Sequence, residues 1–449
     1  MNAMMAALLI FSTYMSLRGP HIFSPLRLWL ATWSIAFTVN ALLGWSYYYS
    51  TEITGFVFAS IIMFSLGACT FKSLTPSRSL AVRKPQTEIA DVLAERKVGL
   101  LILLLLLSCL PLIDLGMRSF SSVSLLGLLS SGDRMFSIMK ENQAALYQDN
   151  ELNFPGSFKL VTMILVFSAA LIPITLLSRK NRYPVANAIL LLIVSFLFSA
   201  ASNVRSLLLV PLLMFSFSFV AACVVTQKTR ILTRPRNLLS AVGLVTFFLV
   251  WIVVAQSARL GDADFERVGK TLDHMRPWFA GYVPALSVWY ETYAQDYQMG
   301  LGTNLLRGLL GPLGLVSGEG FDSRLIAVDI GNGQTSNAMT IFRVLILDFG
   351  LFGTAIACYF WGLVAEYTYY KAIKSAGAWI VALSAQYCAV FFSLNYWYFA
   401  YGARIFGIIG AGFAVSFLVH LYRKKKAHQI RSSERRDAAF GSQKLPALH

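Results

Sequence analysis

The chain has 449 residues, of which 56% are hydrophobic and only 13% are charged, and its formal net charge is +16. A soluble domain would carry about 25% charged residues, so the composition excludes an ordinary soluble protein. Apolar stretches of about twenty residues recur, each long enough to cross a bilayer as a helix. The short alternating strands of a membrane β-barrel are not seen.

Eleven membrane-spanning helices are predicted in chain order. They lie near residues 2–17, 26–46, 53–71, 98–115, 157–177, 184–201, 206–226, 238–257, 341–364, 377–400 and 403–422. The fold class is therefore an all-α, polytopic integral membrane helix bundle, with a single transmembrane domain over 1–422. The basic tail, 423–449, is expected to be disordered beyond Lys426 because it is polar and charged.

Basic residues concentrate in alternate gaps between the predicted helices. With Arg18 and Arg27, the gaps at 72–97, 179–182, 228–236, 371–374 and from 423 onward hold 25 of the 38 Lys and Arg residues, and with Glu366 they hold only six of the 22 acids. The residues assigned to the two sides of the membrane then carry net charges of about +19 and −3. Because basic loops remain cytoplasmic, the C-terminus is predicted in the cytoplasm and the N-terminus outside. The charge reflects topology and anionic lipid, so no nucleic-acid partner is expected.

The most polar part of the chain is the outer loop 258–340. Apolar residues at helical spacing predict amphipathic helices over 263–276 and 283–298. The glycine-rich stretch 300–334 is expected to be irregular. A second sizeable outer loop is predicted over 116–156.

Several arginines lie in the large loop or near the outer ends of the helices. They are Arg259 and Arg276 in the loop, and Arg205, Arg343 and Arg404 near helix ends. Ionisable groups at membrane depth are costly and usually face a cavity or a partner, and a guanidinium fits phosphate oxygens. The group is therefore interpreted as a pyrophosphate site. Two alternatives remain open: snorkelling at the interface, and a folding ion pair between Arg343 and Asp348.

The outer segments contain one histidine, His274. A histidine accepts a proton from a hydroxyl near neutral pH, so His274 is the candidate general base; the alternative is a solvent-facing residue on an amphipathic helix. Trp289 and Tyr293 are candidates to stack on sugar rings, although aromatic residues at a membrane interface have the same composition.

Metal and redox chemistry find little support in the sequence. The motif Asp262-Ala263-Asp264 has a spacing that binds divalent cations through carboxylates in many glycosyltransferases. An acidic first turn also stabilises a helix N-terminus, and that interpretation is favoured. All five cysteines lie in apolar stretches without zinc-binding spacing. No metal site, cofactor or structural disulfide is predicted.

Two short motifs and the general architecture resemble O-antigen polymerases, the Wzy-type polymerases of oligosaccharide repeat units. Residues 201–206, Ala-Ser-Asn-Val-Arg-Ser, open an apolar helix and are similar to a small-residue-plus-arginine motif of that family. Residues 335–343 and 347–353 are similar to the segment that leaves its large loop. Arg307 and Gly318 match an Arg-x10-Gly spacing found in some polymerases.

The resemblance implies a glycosyltransferase in the bacterial inner membrane with its active site facing the periplasm. A growing glycan on undecaprenyl pyrophosphate would be transferred to a new lipid-linked repeat unit for O-antigen, capsule or exopolysaccharide. Arg205, Arg259, Arg276 and Arg343 would stabilise the pyrophosphate, Arg404 and Asp348 would line the site, and His274, or Asp262 or Asp264, would be the base. The resemblance leaves a chain-length regulator and a flippase open as protein partners.

Three other functions stay open at this stage. An O-antigen ligase has a related architecture but uses lipid A core as acceptor, and the motif after the loop favours a polymerase. A lipid-linked-sugar flippase or other transporter often shows internal repeats and charges at the membrane midplane, and neither is visible here. A structural scaffold leaves the arginines without a role.

Overall fold

The structure is a computed structural model that describes residues 2–17, 23–75, 88–93, 95–148, 151–152, 154–178, 183–260, 275–293, 299–316 and 327–441. The helices and strands are, in chain order, α1 (Asn2–Leu17), α2 (Pro25–Leu43), α3 (Thr51–Leu74), α4 (Glu88–Leu93), α5 (Arg96–Arg118), α6 (Leu125–Ser130), α7 (Met135–Leu146), β1 (Tyr147–Gln148), β2 (Glu151–Leu152), α8 (Gly156–Leu176), α9 (Tyr183–Ser202), α10 (Ser206–Val225), α11 (Pro235–Leu260), α12 (275–280), α13 (Tyr282–Tyr293), α14 (Arg307–Leu310), β3 (Val328–Gly331), β4 (Gln334–Ser336), α15 (Thr340–Ser375), α16 (Ala378–Phe392) and α17 (Gly402–Gly441).

The predicted all-helical membrane fold is confirmed, but the predicted number of eleven spans is not. Among the described residues, nine helices are long and apolar enough to cross a membrane. They are α2, α3, α5, α8, α9, α10, α11, α15 and α17. The other two predicted spans correspond to α1, with 16 residues, and α16, with 15 residues. Helix α16 ends at Phe392, and the chain then turns and forms a 3-10 helix at Tyr398–Ala400.

The helices pack into two hydrophobic clusters. The first is formed mainly by α5, α8, α9, α10, α16 and α17. The second is formed by α1, α2, α3, α13 and the beginning of α15. Helices α3 and α15 approach so closely that a Cβ on Gly67 would lie 1.9 Å from the Tyr359 carbonyl oxygen. A Cβ on Gly362 would lie 2.0 Å from the Phe64 carbonyl oxygen. Small residues at such contacts let helix backbones meet in membranes.

Helix α15 is broken near its start. Gly350 has φ 65° and ψ −176°, a conformation outside the helical region that is accessible to glycine because it lacks a Cβ. A loop fills the break: the amide of Gly300 donates to the Leu347 carbonyl at 2.9 Å, and the amide of Leu301 donates to the Asp348 carbonyl at 3.0 Å. The break thus anchors the 299–306 loop against the first ten residues of α15.

One end of the bundle carries most of the connecting structure, and we call it the loop-rich end. Its described residues are 44–50, 119–148, 151–152, 154–155, 203–205, 275–293, 299–316, 327–339 and 393–401. The glycine-rich stretch is not wholly irregular, because it contains α14 and most of the antiparallel pair β3–β4. This hairpin contacts the α2–α3 turn, where the Tyr48 amide donates to the Ile330 carbonyl at 2.9 Å.

The C-terminal region differs from its prediction. Helix α17 continues without interruption to Gly441, so the expectation of disorder beyond Lys426 is wrong for residues 427–441. Lysine, arginine, alanine and glutamine have good intrinsic helix propensity, and the preceding membrane helix supplies the nucleus that an isolated segment would lack. Residues 423–433 are exposed.

Candidate functional site

Arg205 is held at the loop-rich end by the tight turn between α9 and α10. Asn203 adopts φ 52°, and its side-chain amide donates to Gln143 Oε1 at 3.1 Å, while Asn142 Nδ2 donates to the Ala201 carbonyl at 2.8 Å. These contacts fix the turn against α7. Arg205 is only 6% exposed, and its Cζ lies 3.6 Å from the centroid of the Trp278 ring. The small-residue-plus-arginine motif therefore builds a turn that presents a guanidinium stacked on an aromatic face.

Arg343 lies in the first turn of α15 and also lies over a tryptophan ring. It is 3% exposed, its Nη1 donates to the Met339 sulfur at 3.1 Å, and its Cζ lies 5.1 Å from the centroid of the Trp289 ring. Helices α12 and α13 thus carry two tryptophans that contact two buried arginines, one near each hydrophobic cluster. Snorkelling towards an aqueous interface does not describe such buried side chains.

Asp348 has a different partner from the one considered in the sequence. Its fully buried carboxylate accepts from the backbone amide of Asn304 at 3.1 Å, from Asn304 Nδ2 at 2.9 Å and from the Leu305 amide at 2.7 Å. A folding ion pair with Arg343 therefore receives no support. Asp348 instead fixes the loop that leads into α14.

Arg404, in the first turn of α17, completes a cationic region around Tyr396. Arg404 is 6% exposed, donates from Nη1 to the Tyr398 carbonyl at 3.2 Å, and lies 4.5 Å from the Tyr401 ring centroid. Burial raises the pKa of Tyr396 well above its ordinary value, as does the neighbouring Tyr401, whereas the charges of Arg343, Arg404 and Arg307 lower it. The Tyr396 hydroxyl is therefore within electrostatic range of three arginines from three different helices.

The sequence analysis did not select Arg307 for this group. It begins α14, whose backbone contacts the 398–401 turn so closely that a Cβ on Gly308 would lie 2.2 Å from the Phe399 carbonyl oxygen. Trp397 Nε1 also donates to the Leu305 carbonyl at 2.8 Å. The only signal in the sequence that singled out Arg307 was the Arg-x10-Gly spacing, and this spacing does not predict that α14 contacts the 398–401 turn.

Arg276 lies elsewhere at the loop-rich end. Its Nε donates to the Leu43 carbonyl, its Nη2 donates to Ser46 Oγ at 3.2 Å, and its Cζ lies 5.2 Å from the Tyr47 ring centroid. These contacts tie α12 to the α2–α3 turn. The part of α12 that reaches Arg205 is Trp278, and Arg276 has a role in holding α12 in place.

The remaining candidates are distributed as follows. Trp289 is fully buried beneath Arg343, so its ring supports an arginine and is not an open platform for a sugar. Tyr293, the last residue of α13, is half-buried against the second cluster. Arg259 belongs to α11 but its side chain lies outside the described part. His274, Asp262 and Asp264, with most of the predicted helix 263–276, also lie outside the described residues.

A cavity of about 100 Å³ opens beside Arg404. Its polar lining consists of Lys159, Thr162, Ser206, Tyr401 and Arg404. Its apolar lining consists of Phe154, Leu165, Phe198, Leu207, Val210, Pro211 and Ala403. None of these residues is acidic. Within the described ranges, no group of three or more His, Cys, Asp and Glu side chains could hold a metal ion, and the site's described ionisable groups are mainly cationic.

The fold and the site define a multi-pass α-helical membrane protein with buried arginines gathered at one end of its bundle. Comparison of the chain with protein-family models, with curated proteins and with solved structures finds no match. The function must therefore be argued from the chemistry of the site.

Proposed function

We propose that the protein is a glycosyltransferase that polymerises lipid-linked oligosaccharide repeat units at the periplasmic face of the bacterial inner membrane. The observation that carries the proposal is the burial of Arg205, Arg343 and Arg404 at the loop-rich end of the bundle, with Arg307 in α14, whose backbone contacts the 398–401 turn. Arginines at membrane depth are rare and usually mark a functional site. Phosphate oxygens are suitable partners, because a guanidinium can bind them through two parallel hydrogen bonds.

The reaction would displace undecaprenyl pyrophosphate from the first sugar of the growing glycan. A hydroxyl of the incoming repeat unit forms the new C–O bond at the anomeric carbon, and its proton passes to a base. The bond between that carbon and the pyrophosphate oxygen breaks, and the electron pair leaves with the pyrophosphate. Arginine side chains near that oxygen stabilise the developing negative charge.

The arginine–tryptophan stacks support this role in a specific way. In a stack the aromatic face contacts the flat face of the guanidinium, so the five N–H donors around its edge can still bind an anion. Trp278 and Trp289 therefore restrict the orientation of Arg205 and Arg343. The general base is proposed to be His274, with Asp262 or Asp264 as alternatives.

A gene deletion tests the proposal. Loss of a polymerase leaves single repeat units on the lipid core in a gel of surface polysaccharide, whereas loss of a ligase or a flippase leaves bare core. Complementation with Arg343→Ala or Arg205→Ala is expected to leave single repeat units. The matched control is Arg134→Ala, because Arg134 is exposed and the predicted topology places it on the same side.

Two results would contradict the proposal. A full ladder in cells carrying Arg343→Ala, at wild-type protein amounts, would refute the site. Bare core in the deletion strain would refute the polymerase and favour an O-antigen ligase or a lipid-linked-sugar flippase.

A further inference from the structure

We propose that residues 299–316 form an interfacial segment, which inserts into the bilayer leaflet at the loop-rich end and contacts lipid acyl chains. The segment contains α14 and the turns on either side of it. Its composition, its backbone hydrogen bonds and its attachment to two membrane helices each favour lipid as the partner. The inference goes beyond the proposed function, because it does not depend on which reaction the protein catalyses.

The surface of the interfacial segment is mainly apolar. In the sequence of these residues Arg307 is the only charged side chain. Five large apolar side chains are exposed: Met299 (64%), Leu301 (81%), Leu306 (48%), Leu313 (61%) and Leu315 (68%). Exposed apolar surface that is concentrated in this way marks a contact with protein or with membrane. The segment is therefore expected to be covered by a partner that is itself apolar.

The backbone amides of the segment are satisfied more fully than an irregular loop in water requires, although α14 accounts for only four residues. The amides of Gly300 and Leu301 donate to carbonyls of α15, and those of Asn304 and Leu305 donate to the Asp348 carboxylate. Other amides donate to carbonyls within the segment; they belong to residues 303, 306, 307, 309–311 and 313–315. Lipid offers no hydrogen bonds, so backbone groups that contact it need partners inside the protein. This pattern favours lipid as the partner.

The interfacial segment is attached beside the starts of two membrane helices. A Cβ on Gly402, the first residue of α17, would lie 2.6 Å from Pro312 Cγ. The other end of the segment is held against the break of α15 at Gly350, two residues before Phe352, which is 82% exposed. Both helices are long and apolar enough to cross a membrane, so Phe352 is expected to face lipid. The position of the segment therefore favours a lipid leaflet over a second protein.

A fluorescent label on an introduced cysteine tests the inference in the full-length protein, reconstituted with one copy in each nanodisc. Cys69 is exposed and the other four cysteines are buried, so Cys69→Ala provides the background. The label is attached in the segment at Leu313→Cys and, independently, at Leu315→Cys. Phe352→Cys is the reference position for lipid. Ser137→Cys is the matched control for water, because Ser137 is an exposed residue of α7 at the same end of the bundle.

Two quenchers separate lipid from water: a lipid with a nitroxide on its acyl chain near the headgroup, and soluble iodide. The labels at Leu313 and Leu315 are expected to lose as large a fraction of their fluorescence to the nitroxide lipid as the label at Phe352. They are expected to lose a smaller fraction to iodide than the label at Ser137, because an ion enters an apolar region only at a high cost in free energy. The four replaced side chains are exposed, so the elution volume on gel filtration is expected to stay unchanged.

Two results would overturn the inference. Iodide quenching of both labels as strong as that at Ser137 would show that the interfacial segment faces water. Protection of both labels from iodide and from the nitroxide lipid would show that protein covers the segment. The proposed function can fail separately, because the gel of the deletion strain decides the polymerase assignment whatever the position of the segment in the bilayer.

Discussion

Removal of the Asp348 carboxylate is expected to destabilise the loop-rich end strongly. In Asp348→Ala, three donors lose their acceptor: the Asn304 amide, Asn304 Nδ2 and the Leu305 amide. Each donor left unsatisfied in the interior costs about 1–3 kcal/mol, and the gain from no longer burying a charge offsets part of this sum. We therefore expect the free energy of unfolding to fall by about 3 kcal/mol.

Thermal unfolding of the detergent-solubilised protein, followed by tryptophan fluorescence, measures the effect. The matched control is Asp329→Ala, because Asp329 is exposed and accepts one hydrogen bond, from the Gly331 amide at 2.8 Å. We expect Asp348→Ala to lower the Tm by at least about 5 °C and the control to lower it by much less. Equal Tm values for the two variants would refute the view that Asp348 holds the 299–306 loop.

Two further predictions concern an arginine stack and a buried carboxylate. Trp278→Ala is expected to reduce glycan polymerisation by about tenfold, because Arg205 loses the ring that orients it. The control variant Trp278→Phe is expected to retain most of the activity. A full polysaccharide ladder from Trp278→Ala at normal protein amounts would contradict this prediction. Glu366 is buried, 3.3 Å from Lys72 Nζ, and accepts from the Leu26 amide at 3.2 Å. Glu366→Ala is therefore expected to cost about 1–3 kcal/mol in stability, because the Leu26 amide loses its acceptor. A smaller loss is expected for Glu366→Gln, and equal Tm values for both variants and the wild type would show that this carboxylate is dispensable.

Hydropathy alone predicted the all-helical membrane class, because the free energy of burying apolar residues in lipid is a local property of each stretch. The ends of the helices were harder to predict. The predicted span 377–400 includes Tyr396 and Tyr398, which lie beyond the end of α16 at Phe392. Aromatic residues have apolar character whether they lie in lipid or in a packed turn, so composition could not locate this boundary.

Contacts between distant segments were mostly beyond sequence reasoning. Arg205 and Arg343 were selected because charges at membrane depth are rare, and both are buried at one end of the bundle. Their tryptophan partners, the fixing of Arg276 to the α2–α3 turn, and the inclusion of Lys159 in the cavity depend on how helices rotate and pack. That information resides in long-range packing, which a pattern of residue types along the chain does not contain.

The glycine contact between α3 and α15 has a mechanical consequence. The two backbones are in contact at Gly67 and Gly362, so no flexible side chains separate them there. The two helices are therefore expected to move together as one rigid unit. Arg343 lies on the other side of the break at Gly350. Any displacement of Arg343 relative to these two helices would therefore require a change of backbone conformation at Gly350.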